Sequence, residues 1–298
     1  MAHFNYLVFA KVVERGTFYQ AAKELKVTPS AVSHSINQLE QNLGFPLLRR
    51  NRSGVELTQD GAAILPYVQE ILNLEHNLEQ EANNIRGLNS GVVRIGAFSS
   101  ICINWLPEII RNFKSRYPKI KVTIVQGTFN EIAEKARIGA IDLGFTALPV
   151  TQNLKVIPLI NDPIYCITPK DFEPKNRKSI TQADISGKNF ILQQIDYDRD
   201  TKKVLDDYQV TQNSLTFSID DQSILAMVES NLGLGVLPKL ALNKIKGDVN
   251  VFDFDRKYER HIALVANKTQ MLAPAPKKMM KLMQEYLTKR YGDELLWK

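Results

Sequence analysis

The chain has 298 residues, of which 44% are hydrophobic and 23% charged. That balance belongs to an ordinary globular protein of about two domains. No run of about 18 apolar residues occurs, which excludes a membrane-spanning helix. Two cysteines, Cys102 and Cys166, are too few for a disulfide framework or a structural zinc site. The start, Met1-Ala2-His3-Phe4-Asn5, has no basic stretch leading into an apolar one, so a cytoplasmic chain is expected. The net charge of +6 invites a nucleic-acid partner. Its distribution points elsewhere: residues 1–58 carry +3, residues 59–90 carry −4, and residues 256–298 alone carry +6. Charge therefore does not identify DNA as a partner; a motif must.

Phe4, Leu7, Val8, Phe9, Val12 and Val13 predict a dense apolar helix that Gly16 ends. Thr17 stands at an N-cap position, where a hydroxyl accepts from an orphan N–H. Phe18, Ala21, Ala22 and Leu25 give the apolar face of a second helix. After the tight connection Lys26-Val27-Thr28, Pro29 opens a third helix capped by Thr28, because the first helical position needs no N–H. Val32, Ile36, Leu39 and Leu43 form its buried stripe, and Gly44 closes it. Arg49-Arg50-Asn51-Arg52, then Ser53-Gly54 and Val55-Glu56-Leu57-Thr58, read as a basic hairpin. Residues 59–88 repeat apolar positions at Ile64, Val68, Ile71, Leu78, Ala82 and Ile85, with Glu75 as one polar interruption. That is a heptad seam for pairing two helices. Gly87 to Gly91 is a linker by composition.

From Val92 onward, strands and helices alternate. Strand-like runs are Val92–Ala97, Val122–Val125, Ile141–Phe145, Ile164–Thr168, Phe190–Gln193, Leu215–Ile219, Leu234–Leu237 and His261–Ala266. Helical patterns lie near Trp105–Phe113, Ile132–Ala136, 199–208, 221–231 and 276–290. Such alternation predicts parallel sheets in an α/β fold. Gly233-x-Gly235 follows a helix and precedes a strand, the reverse of a dinucleotide loop; a helix C-cap with a tight turn is expected. Lys277, Lys278, Lys281, Lys289 and Arg290 crowd the final helix and read as a solvated face.

Two short helices joined by a three-residue turn have the spacing of a DNA-binding helix-turn-helix. Opposite the buried stripe of the third helix stand Ser30, Ser33, His34, Asn37 and Gln41. They are polar and free of acid, so they would not repel phosphates and could donate and accept at base edges. Asn37 suits adenine, and His34 suits guanine or a phosphate. The hairpin arginines would form a wing on the backbone.

The run Phe9-Ala10-Lys11-Val12-Val13-Glu14-Arg15-Gly16-Thr17-Phe18, then Ala21-Ala22-Lys23-Glu24-Leu25 and Val27-Thr28-Pro29-Ser30-Ala31-Val32-Ser33, resembles LysR-type transcriptional regulators. Ile36, Leu39-Glu40, Leu43-Gly44, Pro46-Leu47-Leu48, Arg50, Leu57-Thr58, Gly61 and Leu65-Pro66 continue the match. Val93-Arg94-Ile95-Gly96, Arg116-Tyr117-Pro118, Ile141-Asp142-Leu143-Gly144-Phe145 and Gly233-Leu234-Gly235-Val236-Leu237-Pro238 extend it over essentially the full length. The family often has Gln where this chain has Pro29 and Arg where it has His34. A prolyl side chain cannot hydrogen-bond a base, so readout there is lost or becomes contact with a thymine methyl.

The resemblance implies a sequence-specific, DNA-binding regulator rather than an enzyme, with a winged helix-turn-helix over 1–58 and a linker helix over 59–90. It implies a two-lobed α/β effector domain, similar to periplasmic binding proteins, over 91–298. One lobe is expected over 91–162 and 267–298, and the other over 163–266, with crossings near Asn161–Pro163 and Ala266–Thr269. The expected partners are double-stranded DNA, a small-molecule effector, a second copy joined through the 59–88 helix into a homodimer and then a homotetramer, and RNA polymerase as a further candidate. No membrane contact, cofactor or metal is expected. The DNA-reading candidates are Thr28, Pro29, Ser30, Ser33, His34, Asn37, Arg50 and Arg52. Ligand clefts favour the carboxyl ends of strands, which puts forward Ser99, Ser100, Thr128, Thr146, Gln194 and Asp221 for the effector. Ser100 is expected to cap the helix after the first strand. The two cysteines are expected to be buried, inert thiols. The four scattered histidines lack metal-ligand spacing, and no catalytic constellation stands out.

Overall fold

The computed structural model describes residues 2–51, 54–87, 90–193, 199–210, 215–217, 221–244, 246–268 and 273–297. Its first three helices are α1 (Ala2–Arg15), α2 (Phe18–Leu25) and α3 (Pro29–Leu43). Each boundary has a local cause. Gly16 and Gly44 leave their helices at φ of +70° and +85°, a region open to glycine. Thr17 accepts from the Gln20 N–H at 3.1 Å, and Thr28 accepts from the Ala31 N–H at 3.2 Å. The three helices enclose a small core around Phe9, Val12, Ala21, Val32, Ile36 and Leu39.

The antiparallel hairpin of β1 (Leu48–Asn51) and β2 (Gly54–Leu57) sets Arg50 opposite Val55. It is held from both sides. The Val55 N–H donates to the Gly16 carbonyl at 2.9 Å, and a Cβ on Gly54 would stand 2.5 Å from that oxygen. Thr58 then caps α4 (Gln59–Ile85) through the Gly61 N–H at 2.8 Å. A Cβ on Gly61 would lie 2.0 Å from the Leu47 carbonyl oxygen, so only glycine lets α4 start this close to the hairpin.

Next come β3 (Gly91–Ala97), α5 (Ser99–Asn104), α6 (Leu106–Arg116), β4 (Ile120–Gln126), α7 (Phe129–Arg137) and β5 (Leu143–Ala147). The strand β6 (Lys155–Pro169) follows, then β7 (Ser179–Ile180), α8 (Gln182–Ile185), β8 (Ile191–Gln193), α9 (Arg199–Asp207) and β9 (Leu215–Phe217). The chain ends with α10 (Asp221–Glu229), β10 (Gly235–Pro238), α11 (Lys239–Leu242), β11 (Val249–Phe254), β12 (Glu259–Ala266) and α12 (Pro274–Tyr291). The main sheet runs β4-β3-β5-β12-β6-β11-β7, with β10 also paired to β6.

The long strand β6 serves two lobes. Its Lys155–Pro163 half pairs with β12, beside a core built on Ile95, Trp105, Phe113, Phe145 and Leu264. Its Ile164–Pro169 half pairs with β10 and β11, beside a second core built on Cys166, Phe190, Val204 and Phe254. The sheets are mixed rather than parallel: β3 runs parallel to β4 and β5, and β8 to β9, whereas β12 is antiparallel to both β5 and β6. The chain crosses back earlier than Ala266–Thr269. Ile262–Val265 already pair with β5, so the return crossing lies at the start of β12, beside the outward crossing at Asp162. Gly233 does not cap α10, since Asn231 takes the positive φ there; a Cβ on Gly233 would meet the Asn189 carbonyl at 2.8 Å.

Candidate functional site

On α3, Pro29, Ser30, His34, Asn37 and Gln41 are exposed and Ser33 is half-buried. Thr28 is exposed too, but its hydroxyl is committed to the cap and lies 2.9 Å from the Ser30 hydroxyl. The sole acid of α3 is Glu40, and it is turned away from this surface. Its Oε1 accepts from the Leu47 and Leu48 N–H groups at 2.7 and 3.1 Å, which fixes the hairpin to the reading helix. The sequence reading missed this role, although an acid in the last turn of the helix that leads into a basic hairpin is a usable signal. Arg50 lies on β1; its side chain, and all of Arg52, lie outside the described residues.

The acids of α1 and α2 are also neutralised. Lys11 bridges Glu14 at 2.7 Å and Glu24 at 2.8 Å, and Arg15 pairs with Glu24. Hydrogen bonds from Arg15 and then Lys11 hold the Glu24 carboxyl down at about 2. The helical unit therefore carries little uncompensated negative charge near its outward face.

The helix α4 divides its faces differently from the heptad expectation. Ile64, Leu65 and Val68 pack into the three-helix core, whereas Tyr67, Ile71, Leu74, Leu78 and Ile85 are exposed, Leu78 by 70%. Asn73, Asn77 and Gln80 are buried instead, against the two-lobed part. Arg94 on β3 donates to Asn73 Oδ1 at 3.2 Å and forms a 2.7 Å ion pair with buried Asp142. Gln80 donates to the Val92 carbonyl at 3.3 Å. His76 sits beside these groups, and burial first, then the Arg94 charge, lower its pKa.

Between the lobes, Arg260 and Asp162 form a buried ion pair at 2.7 Å, with side chains 5% and 3% exposed. They stand on β12 and β6, where the chain crosses in both directions. Asp162 Oδ1 accepts at 2.9 Å from the N–H of Leu240 on α11, the helix that follows β10 and whose Leu240 side chain packs into the first core. Arg260 donates to the Ser100 hydroxyl of the first lobe at 3.1 Å and lies over the Phe98 ring, 4.8 Å from its centre. Phe98 meets Phe129 at 4.7 Å, and buried Thr146 donates to the Phe129 carbonyl at 2.9 Å.

The structure thus brings Ser100, Thr146 and the Thr128–Phe129 turn together around Arg260. Ser100 is not a cap: Phe98 holds that position without a side-chain bond, and the Ser100 hydroxyl serves Arg260. Thr128 does cap α7, in a reciprocal box with Glu131. Ser99 is half-buried on α5, and Asp221 opens α10 on the other lobe, also half-buried. Gln194 lies outside the described residues. The Arg260–Asp162 pair was missed because a lone Arg and a lone Asp, 98 positions apart, carry no local pattern.

Cys102 is half-buried on α5 and Cys166 fully buried on β6; burial pushes both thiols up, away from the reactive thiolate form. Among the described residues, no group of three His, Cys, Asp or Glu could hold a metal ion, and no helix is long and apolar enough to cross a membrane.

Comparison with known proteins agrees with this architecture. Residues 5–62 match the model of the bacterial regulatory helix-turn-helix protein, lysR family, and residues 86–288 match the LysR substrate binding domain. The probable HTH-type transcriptional regulator LrrA of Synechococcus elongatus is 30% identical over 89% of this chain and 90% of its own length. Two solved structures share the fold. A full-length OxyR variant from Pseudomonas aeruginosa has a TM-score of 0.76 at 22% identity, over 97% of this chain and 95% of that one. Full-length CbnR, solved with its target DNA, has a TM-score of 0.62 at 19% identity, over 96% of this chain and 100% of that one.

Proposed function

Because this chain belongs to the LysR family of helix-turn-helix transcriptional regulators, we propose that it reads a specific DNA sequence under control of a small molecule held between its two lobes. The observation that carries this is the outward face of α3: exposed Ser30, His34, Asn37 and Gln41, with the helix's one carboxylate tied back to the hairpin. These side chains can enter a major groove and bond base edges, while Arg50 and Arg52 hold the backbone. Pro29 contributes apolar contact.

Ile71, Leu74, Leu78 and Ile85 recur at heptad spacing on solvent, and their burial against a second copy would pair two readers, as a two-fold operator requires. Two such pairs would then assemble into a tetramer. The effector domain then spans the chain beyond α4, with the lobes meeting at Asp162 and Arg260. Ser99, Ser100, Thr128, Thr146, Gln194 and Asp221 are the candidate effector contacts. The hydroxyls and helix starts of this set suit a small polar or anionic metabolite. Its arrival alters the bond between Arg260 and Ser100, and so the angle between lobes, which the dimer passes to DNA bending or to RNA polymerase. The protein works in the cytoplasm, where its DNA is.

Melting curves in the presence of small carboxylates and aromatic acids test the sensor. A ligand of the cleft raises the melting temperature by mass action, and Ser100→Ala with Thr146→Val removes that rise. A rise that survives both substitutions would place the ligand elsewhere.

A further inference from the structure

The chain's positive charge is concentrated on one face that neither DNA reading by α3 nor effector binding uses. Residues 106–121 and 274–294 hold ten Lys and Arg against four Asp and Glu, a net of +6. That equals the net charge of the whole chain, so everything else sums to neutrality. The two segments are α6, the start of β4, and α12, and they lie side by side. Trp105 donates to the Tyr291 hydroxyl at 2.9 Å at one end. Arg116 pairs with Glu285 at 2.7 Å toward the other, and Lys278 stands 5.3 Å from the centre of the Tyr117 ring. The helices are therefore antiparallel neighbours, buried through Leu106, Ile109, Phe113, Met279, Met283 and Leu287. Their outward faces carry exposed Arg111, Lys114, Lys281 and Lys289, with exposed Lys119 in the turn after α6.

We propose that this face binds the phosphate backbone of duplex DNA flanking the recognition site. Three properties choose DNA over an acidic protein. Among the described residues, none of the exposed large hydrophobic side chains lies on α6 or α12, whereas protein interfaces have an apolar, aromatic centre. Most of the cations are lysines, which are depleted at protein interfaces and act as adaptable point charges toward phosphate. Their antiparallel alignment makes a two-helix basic surface that a uniform polyanion can follow without base readout. Lys278 donates to Asn84 at 3.2 Å near the far end of α4, and a 27-residue helix rises about 40 Å. The patch therefore stands at the opposite end of α4 from the helical unit, and the phosphates it would reach are those flanking the segment read by α3.

The inference rests on the DNA-binding function proposed above, and the test separates the two. Binding of the full chain to duplexes of about 20 and about 60 base pairs is followed by anisotropy while salt is raised. The quadruple variant Lys114→Gln, Lys119→Gln, Lys281→Gln, Lys289→Gln is compared with a control of equal charge change on the other lobe, Lys178→Gln, Lys203→Gln, Lys239→Gln, Lys246→Gln; all eight side chains are exposed. Each lost phosphate contact reduces the slope of log K against log salt by about 0.9. The patch variant should lose about 3.6 units of slope for each patch engaged on the long duplex and none on the short one, with the control unchanged. Wild-type slopes for the patch variant on both duplexes, or equal losses in the control, would overturn the patch alone. A wild-type chain that binds neither duplex would overturn DNA reading as well.

Discussion

Replacing either member of the Arg260–Asp162 pair should cost far more than replacing both. The pair is 2.7 Å apart, with side chains only 5% and 3% exposed. Arg260→Met leaves the Asp162 carboxylate with the Leu240 N–H but no cation. Asp162→Asn keeps an acceptor for that N–H and strands the guanidinium beside Ser100 and Phe98. Each single change leaves a buried, uncompensated charge, worth about 3–5 kcal/mol. In the double variant no charge remains, methionine fills most of the arginine stem, and only the donor to Ser100 is lost, about 1 kcal/mol. The double should therefore lie within about 2 kcal/mol of wild type, with a coupling energy above about 3 kcal/mol. Urea unfolding followed by the fluorescence of Trp105, fully buried in the first-lobe core, measures all four chains. Single variants costing under about 1 kcal/mol, or a double that equals their sum, would refute the claim that these residues act as a pair at the crossing.

Three further outcomes follow from the geometry. Gly61→Ala places a Cβ 2.0 Å from the Leu47 carbonyl and should destabilise the N-terminal unit by about 1–3 kcal/mol despite better helix propensity, seen as an earlier helical melt by circular dichroism. Leu78→Asp, at an apolar heptad position that is 70% exposed, should leave each subunit folded and shift sedimentation toward a single chain. His76 has its pKa lowered by burial and then by Arg94, so the unfolded chain binds the proton more readily than the folded one. Stability is then full above the unfolded value near 6.5 and falls as pH drops through it toward the folded pKa. Melting temperatures at about pH 7.5 and about pH 5.5 should show that loss, and His76→Gln should reduce it.

The three N-terminal helices are legible because every signal in them is local: Thr17 and Thr28 cap, Pro29 starts, Gly16 and Gly44 stop, and one stripe is apolar. The α4 helix is legible as a helix but not in its faces. A seam at Ile64 and Val68 looks continuous with Ile71 and Leu78, and only the fold decides which part meets a core and which meets solvent. Asn73, Asn77 and Gln80 were unreadable as buried, since their partners lie on β3. The strand β6 begins at Lys155, well before the apolar run at Ile164 that announces it. Pro158 masks that half, and the register shift between Ile262 and Ala263 opposite it shows how a proline is accommodated in a ladder. Thr128 and Asp221 do stand at helix starts, but Ser100 is not the expected cap, and the group it serves, Arg260, is a cation on a strand with no capping or periodic signal. Parallel sheets were expected because alternation reveals order along the chain, not the direction in which β12 returns.

Reading of DNA by α3 in a paired molecule is tested most directly by hydroxyl-radical footprinting of the full chain on the DNA upstream of its own gene, beside Ser33→Ala, His34→Ala, Asn37→Ala in one chain. Two protected segments should be centred about 10 base pairs, or a multiple of that, apart, and the triple variant should lose them while keeping salt-sensitive, unpositioned binding. Identical protection by both chains, or a single unpaired segment, would contradict it.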